Sequence, residues 1–241
     1  MKLLFRLPLL LMLLASVLTS CDAIGQRVTG NGDVVKQNIS VGSFNSIALL
    51  GSTDAIVTKG NTVSVVVEGE SNIIPLLEIK VEGGELKIGT KRGVSYNTHK
   101  DIKVYITTPN LEGVSLTGSG DMIVKDEFTS NSNVTVKLTG SGNLNAKFKA
   151  PNVKAVLTGS GDLVVGGSTK NVDISISGSG DVNAKNLLSE NADVQISGSG
   201  DVDCHASVGL NVRISGSGDV KYSGSPSVNT KVSGSGSVRK S

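Results

Sequence analysis

Between Val114 and Val238, apolar side chains recur at every second position, interrupted at near-regular intervals by Gly-Ser-Gly and a small polar residue. The tetrapeptides begin at Gly118, Gly140, Gly159, Gly178, Gly198, Gly216 and Gly234, with spacings of 22, 19, 19, 20, 18 and 18 residues. Four residues before the first glycine stand Val114, Val136, Ala155, Ile174, Val194, Val212 and Thr230; two before it stand Leu116, Leu138, Leu157, Ile176, Ile196, Ile214 and Val232. Four after it come Met122, Leu144, Leu163, Val182, Val202, Val220 and Val238. The residues between are nearly all polar. Period-two alternation rich in β-branched residues predicts strands with one buried face.

One repeat is too small to bury its own apolar face. Stacking successive repeats in parallel, about 4.8 Å apart, buries them all in one core. The pattern predicts an all-β, right-handed parallel β-helix, or β-solenoid, with Gly-Ser-Gly-Asp corners every 18–22 residues. Both glycines of each corner fall on the inward side of the alternation, where a side chain is expected to find no room. A flexible Gly/Ser linker would have no reason to keep strict alternation through seven copies. An antiparallel sandwich, which also has short strands and regular turns, is the competing architecture.

Upstream the pattern weakens. Gly51-Ser52-Thr53-Asp54 is a faint copy of the corner, between Ile47-Ala48-Leu49-Leu50 and Ala55-Ile56-Val57. Residues 62–68 read as a strand, 71–77 as a short helical turn, and 79–88 as a hairpin turning at Gly83-Gly84. Residues 101–107 alternate again. The expected organisation is a body of seven repeats over 113–241, preceded by an irregular β segment over 34–112 that starts or caps the solenoid. Lys231, Arg239 and Lys240 cluster on the last copy and read as charges that protect an edge strand, which predicts a monomer.

The N-terminus changes the picture of where the chain resides. Lys2 and Arg6 precede an apolar run, Leu7 to Val17, that is short for a membrane span. Residues 1–20 therefore read as a signal peptide rather than an uncleaved anchor helix, with 21–33 as a tether. Leu18-Thr19-Ser20-Cys21 resembles the lipobox of bacterial lipoproteins, which implies acylation of Cys21 and lipid anchoring at an outer-membrane-associated, periplasmic or surface-facing site. Losing Lys2 and Arg6 takes the 23 basic residues to 21, equal to the 21 acidic ones. With no basic excess left, nucleic acid is not an expected partner. Cys204 is the only other cysteine, so stability has to come from packing and backbone pairing.

Phe44-Asn45-Ser46-Ile47 leading to Gly51, Glu85-Leu86-Lys87-Ile88, Ile102-Lys103-Val104-Tyr105-Ile106, and Pro109-Asn110-Leu111 entering the repeats resemble the head GIN domain, a family of auto-transporter adhesin heads. The likeness covers residues 40–238. It implies a β-helical body on a secreted or lipid-anchored bacterial protein, and it brings no catalytic residues.

Candidate chemistry is sparse. Asp121, Asn143, Asp162, Asp181, Asp201, Asp219 and Ser237 follow the corners as a column. A row of calcium sites is one reading, and side chains capping their own turns is the other; Asn143 and Ser237 break the charge and no second acidic column accompanies it. His99 and His205 lack partners at metal-binding spacing, and Cys204 falls on the inward side as a small core residue. A polysaccharide-acting lyase or hydrolase, the enzymatic alternative, would need carboxylates such as Glu112, Asp126 and Glu127 to converge in a groove with a Lys or Arg. The chain has no Trp, three Tyr and four Phe, few platforms for sugar stacking. The expectation is a non-catalytic, adhesin-like module needing no cofactor, with the membrane and an envelope glycan or protein as partners.

Overall fold

The computed structural model describes residues 27–241. The expected signal peptide, Cys21 and the start of the expected tether lie outside the described residues. Each Gly-Ser-Gly joins two walls of one coil, and both walls stack in parallel on those of the next coil. On the first wall, Val114, Val136, Ala155, Ile174, Val194, Val212 and Thr230 are Cα partners in turn, and so are Leu116 through Val232 two residues later. On the second, Met122, Leu144, Leu163, Val182, Val202, Val220 and Val238 align the same way. A sandwich would require antiparallel neighbours here. The alternation therefore builds a parallel β-solenoid whose inward residues form one continuous core up to the last copy, where Val228 and Val232 are exposed.

The return from the second wall to the next coil also carries core residues. Phe128, Phe148, Gly167 and Leu187 occupy one register column, and the two phenyl rings pack 6.4 Å apart. Thr169, buried on this return, has its hydroxyl within reach of the carbonyls of both Pro151 (3.1 Å) and Asn171 (3.0 Å), either of which can accept its one proton.

The faint upstream copy is a full coil. Ser46–Gly51 pairs with Gly113–Gly118 so that Leu49 meets Leu116 and Gly51 meets Gly118. Asp54–Lys59 pairs with Asp121–Thr129. The coil on its other side comes from later in the chain: Glu85–Thr90 lies beside Ser46–Gly51, and Lys103–Thr108 beside Asp54–Lys59, both in parallel. Antiparallel strands then close this end. Leu77–Glu82 forms the expected hairpin with Glu85–Thr90, with φ of 60° at Gly83 and 80° at Gly84, after a single 3-10 turn at Ile74–Leu76. Ser64–Glu70 runs antiparallel to Lys103–Thr108, and Val34–Asn38 covers its outer edge. Antiparallel strands redirect the edge hydrogen bonds away from further stacking, which is what a capped solenoid requires.

The corners work for a different reason from inward crowding. The first glycine of each corner sits at strongly positive φ, from 122° at Gly159 to 137° at Gly216. A side chain on either glycine would collide with the carbonyl oxygen of its counterpart one coil earlier: on Gly178 with that of Gly159, on Gly180 with that of Gly161. The restriction runs along the stacking axis, because successive corner backbones lie in contact.

Arg27–Thr29 pairs in parallel with Ser95–Asn97 and so lies against the capped end. The segment after it is held by Glu70, whose side chain is inaccessible to solvent. Glu70 accepts the Gly32 N–H at 2.6 Å and the His99 N–H at 3.0 Å, and the His99 ring Nδ1 lies 3.3 Å away. Burial by itself would raise the Glu70 pKa; the N–H groups of Gly32 and His99 and the His99 ring outweigh it and hold the carboxyl below its ordinary value. A depressed carboxyl contributes stability that is present above its unfolded pKa, about 4.3, and lost as pH falls through the lower folded value. Acidification from about pH 5 to pH 3 is thus expected to lower the melting temperature more in the wild type than in Glu70→Gln, because the variant has no such proton to take up. Parallel melting–pH curves for the two proteins would contradict this clamp.

Candidate functional site

The regular stacking turns the outward residues into columns running along the axis. On the second wall the post-corner residues form one rim, and Val164, Asn183, Asp203 and Lys221 form the next column. Between them runs a shallow trough of about 390 Å³, bordered by Asp162, Asp181, Asp201, Asp203 and Asp219, with Lys221 as its cation.

Asp54, Asp121, Asp181, Asp201 and Asp219 cap the next coil rather than their own turns. Asp181 accepts the Asp201 N–H, Asp201 the Asp219 N–H, and Asp219 the Ser237 N–H, each at 2.8 Å. Asp54 accepts the Asp121 N–H at 3.0 Å, and Asp121 takes the Asn143 side-chain amide at 2.8 Å. The expected own-turn caps are replaced because a parallel stack aims each corner N–H along the axis at the previous coil. The Ser237 hydroxyl and N–H, with the charges of Arg239 and Lys221, hold the Asp219 carboxyl below its usual range. Among the described residues, no group of three or more His, Cys, Asp or Glu is arranged to hold a metal ion.

The other sequence candidates are scattered. Glu112 accepts from the Asn45 amide at 2.8 Å at the entrance to the first wall. Asp126 accepts the Lys59 N–H at 2.8 Å within the register shift between Ile123 and Glu127 in the second-wall strand. Glu127 stands opposite Lys147. These carboxylates hold local backbone or lie on separate walls, and they do not meet in one groove. His205 Nδ1 lies 2.9 Å from the Ser223 hydroxyl, its register partner. Cys204 is buried, and burial, with Asp203 nearby, pushes its thiol pKa up to about 12, which leaves an unreactive core thiol.

Sequence reasoning missed a second column. Asn133, Asn152, Asn171 and Asn191 each stand seven residues before a corner glycine, a constant offset that could have been seen. Their amides form a ladder: Asn152 donates to Asn133 and Asn171 to Asn152 at 2.8 Å, and Asn191 to Asn171 at 3.1 Å. The ladder walls a trough of about 510 Å³ on the first wall, with Thr135, Lys154, Asp173, Asp193 and Asn211 along its other side.

The family model described as "Putative auto-transporter adhesin, head GIN domain" matches residues 43–226, which span the capped end and most of the coils. The chain belongs to this family. Solved structures agree in fold. A putative adhesin from Bacteroides fragilis, 22% identical, has a TM-score of 0.83 over 88% of this chain and 99% of its own. A putative lipid binding protein from Parabacteroides distasonis, 25% identical, has a TM-score of 0.73 over 90% of this chain and 100% of its own. A putative adhesin from Parabacteroides merdae, 24% identical, reaches 0.70 over 89% and 99%. No curated protein matches the chain. Membership as a head GIN domain suggests a protein of the cell envelope. No helix among the described residues is long and apolar enough to cross a membrane.

Proposed function

We propose that this head GIN domain is a non-catalytic binding module held at the bacterial cell envelope, outer-membrane-associated and periplasmic or surface-facing, by lipid on Cys21. The observation that carries the binding reading is the pair of long axial troughs lined by repeated hydrogen-bonding side chains, with carboxylates engaged in stacking rather than aimed at a common point. General acid–base hydrolysis needs two carboxyls facing one bond, and here Glu112 and Asp126 are engaged separately, by the Asn45 amide and the Lys59 N–H. A rigid repetitive rod instead offers many weak contacts in register with a repetitive partner. It acts as a monomer, with Lys231, Arg239 and Lys240 discouraging edge pairing at the last coil.

Anchoring follows from the leader. Two or more acyl chains on one residue give stable attachment, since each buried methylene contributes about 0.8 kcal/mol. Cys21→Ser is expected to shift the protein from the membrane pellet to the soluble fraction, or to leave it as uncleaved precursor, and to abolish labelled palmitate incorporation. Palmitate at wild-type levels in the variant would sink the anchoring proposal. Incubation of the full chain with polysaccharides should release no reducing ends; turnover would favour the lyase or hydrolase alternative.

A further inference from the structure

The asparagine ladder leaves hydrogen-bonding capacity unspent at regular intervals. An amide has two N–H groups and two acceptor lone pairs. In Asn152 and Asn171 one N–H and one lone pair serve the ladder, so one of each remains per coil. These amides border a trough of about 510 Å³ whose far side carries one hydroxyl, amide or charge per coil. We propose that this trough holds a linear β-linked glycan lying along the solenoid axis.

Three features select that occupant. Spacing is the first: the amides recur with the coils, about 4.8 Å apart, whereas an extended peptide advances 3.3–3.4 Å per residue and would drift out of register. In an extended β-1,4-linked chain each pyranose unit is comparable in length to the coil spacing of about 4.8 Å and alternate units are turned over, so hydroxyls on one side return to the ladder at every second coil. Backbone is the second. The strands flooring the trough pair on both sides with neighbouring coils, so an incoming peptide finds no open edge to extend. Charge is the third. Lys154 is set against Asp173 and Asp193, and Asp193 is itself paired with Arg213 at 3.1 Å, which suits an uncharged ligand and not a phosphate backbone. Each glycan hydroxyl contributes little, so affinity grows with the number of coils spanned.

The proposal rests on the binding-module reading and is tested apart from it. The full chain is titrated calorimetrically with the β-1,4-linked hexasaccharides of glucose and of N-acetylglucosamine, and with the corresponding disaccharides. At least one hexasaccharide should bind, and about tenfold or more tighter than its disaccharide. Asp173→Met, at an exposed position, leaves the ladder residues unchanged, removes one polar group from the far side of the trough and puts a longer, non-aromatic side chain there; it should weaken hexasaccharide binding by about tenfold or more. Asn152→Ala with Asn171→Ala should do the same; because that pair could loosen the stack, Asp173→Met with an unchanged melting curve keeps the test decisive. Failure of both hexasaccharides to bind, or equal binding by Asp173→Met, overturns the glycan assignment. If the full chain then still binds purified envelope, the module reading survives while the glycan does not.

Discussion

Ile196→Asp is expected to remove about 4 kcal/mol or more of stability, while Gln195→Asp, one residue away, changes it by less than about 0.5 kcal/mol. Ile196 is 1% exposed, with Ile176 and Ile214 as its register partners on either side. The substitution forfeits the transfer energy of a buried Ile side chain, about 1.5–3 kcal/mol, and adds the cost of a carboxyl that finds no donor among apolar neighbours. Gln195 faces solvent in the column of Ser175 and Arg213, so a new carboxylate there stays hydrated and has a cation beside it. Thermal or urea melts of the two variants read the difference directly. Equal losses would mean that the alternation does not decide which face is buried.

That alternation is why so much of the fold is legible in one sequence. Period-two spacing decides the buried face of each strand, and a repeat spacing of 18–22 residues forces like onto like, so Leu138 over Leu157 and Gly140 over Gly159 follow without further information. Neighbour order at the capped end is another matter. Nothing in Glu85-Leu86-Lys87-Ile88 says that it stacks under Ser46–Gly51, or that Ser46–Gly51 then meets Gly113–Gly118 across more than sixty intervening residues. Alternation is blind to which strand lies alongside. The same blindness misassigned the aspartates: the sequence shows that Asp181 follows a turn, but the N–H it caps belongs to Asp201 in the next coil. The ladder at Asn133, Asn152, Asn171 and Asn191 is legible, because its offset from the corner is constant.

Gly180→Val is expected to be comparably destructive, and in a distinctive way. A Cβ on Gly180 overlaps the Gly161 carbonyl oxygen and comes within 2.9 Å of the Gly161 nitrogen and the Ser160 carbonyl carbon, all of it backbone that cannot rotate aside. Relief requires the two coils to separate at the corner. Separation gives up the neighbouring bonds from the Ser179 N–H (2.9 Å) and the Gly180 N–H (3.1 Å) to the Gly159 carbonyl, and opens the core between Leu157 and Ile176. Losses of about 3 kcal/mol or more follow from overpacking combined with broken buried hydrogen bonds. Ser179→Val should cost under about 0.5 kcal/mol, since Ser179 is exposed and its backbone bond is untouched. Because each coil touches only its neighbours, the damage should not spread evenly. Coils before the lesion keep the antiparallel cap, whereas those after it lose the template on which they stack. Hydrogen exchange of Gly180→Val should therefore quicken in Gly209–Gly216 and Val220–Ser223 while Val134–Gly140 stays protected. Uniform acceleration along the whole chain would show a single cooperative unit, and a worse outcome for Ser179→Val would overturn the stacking account of the corner.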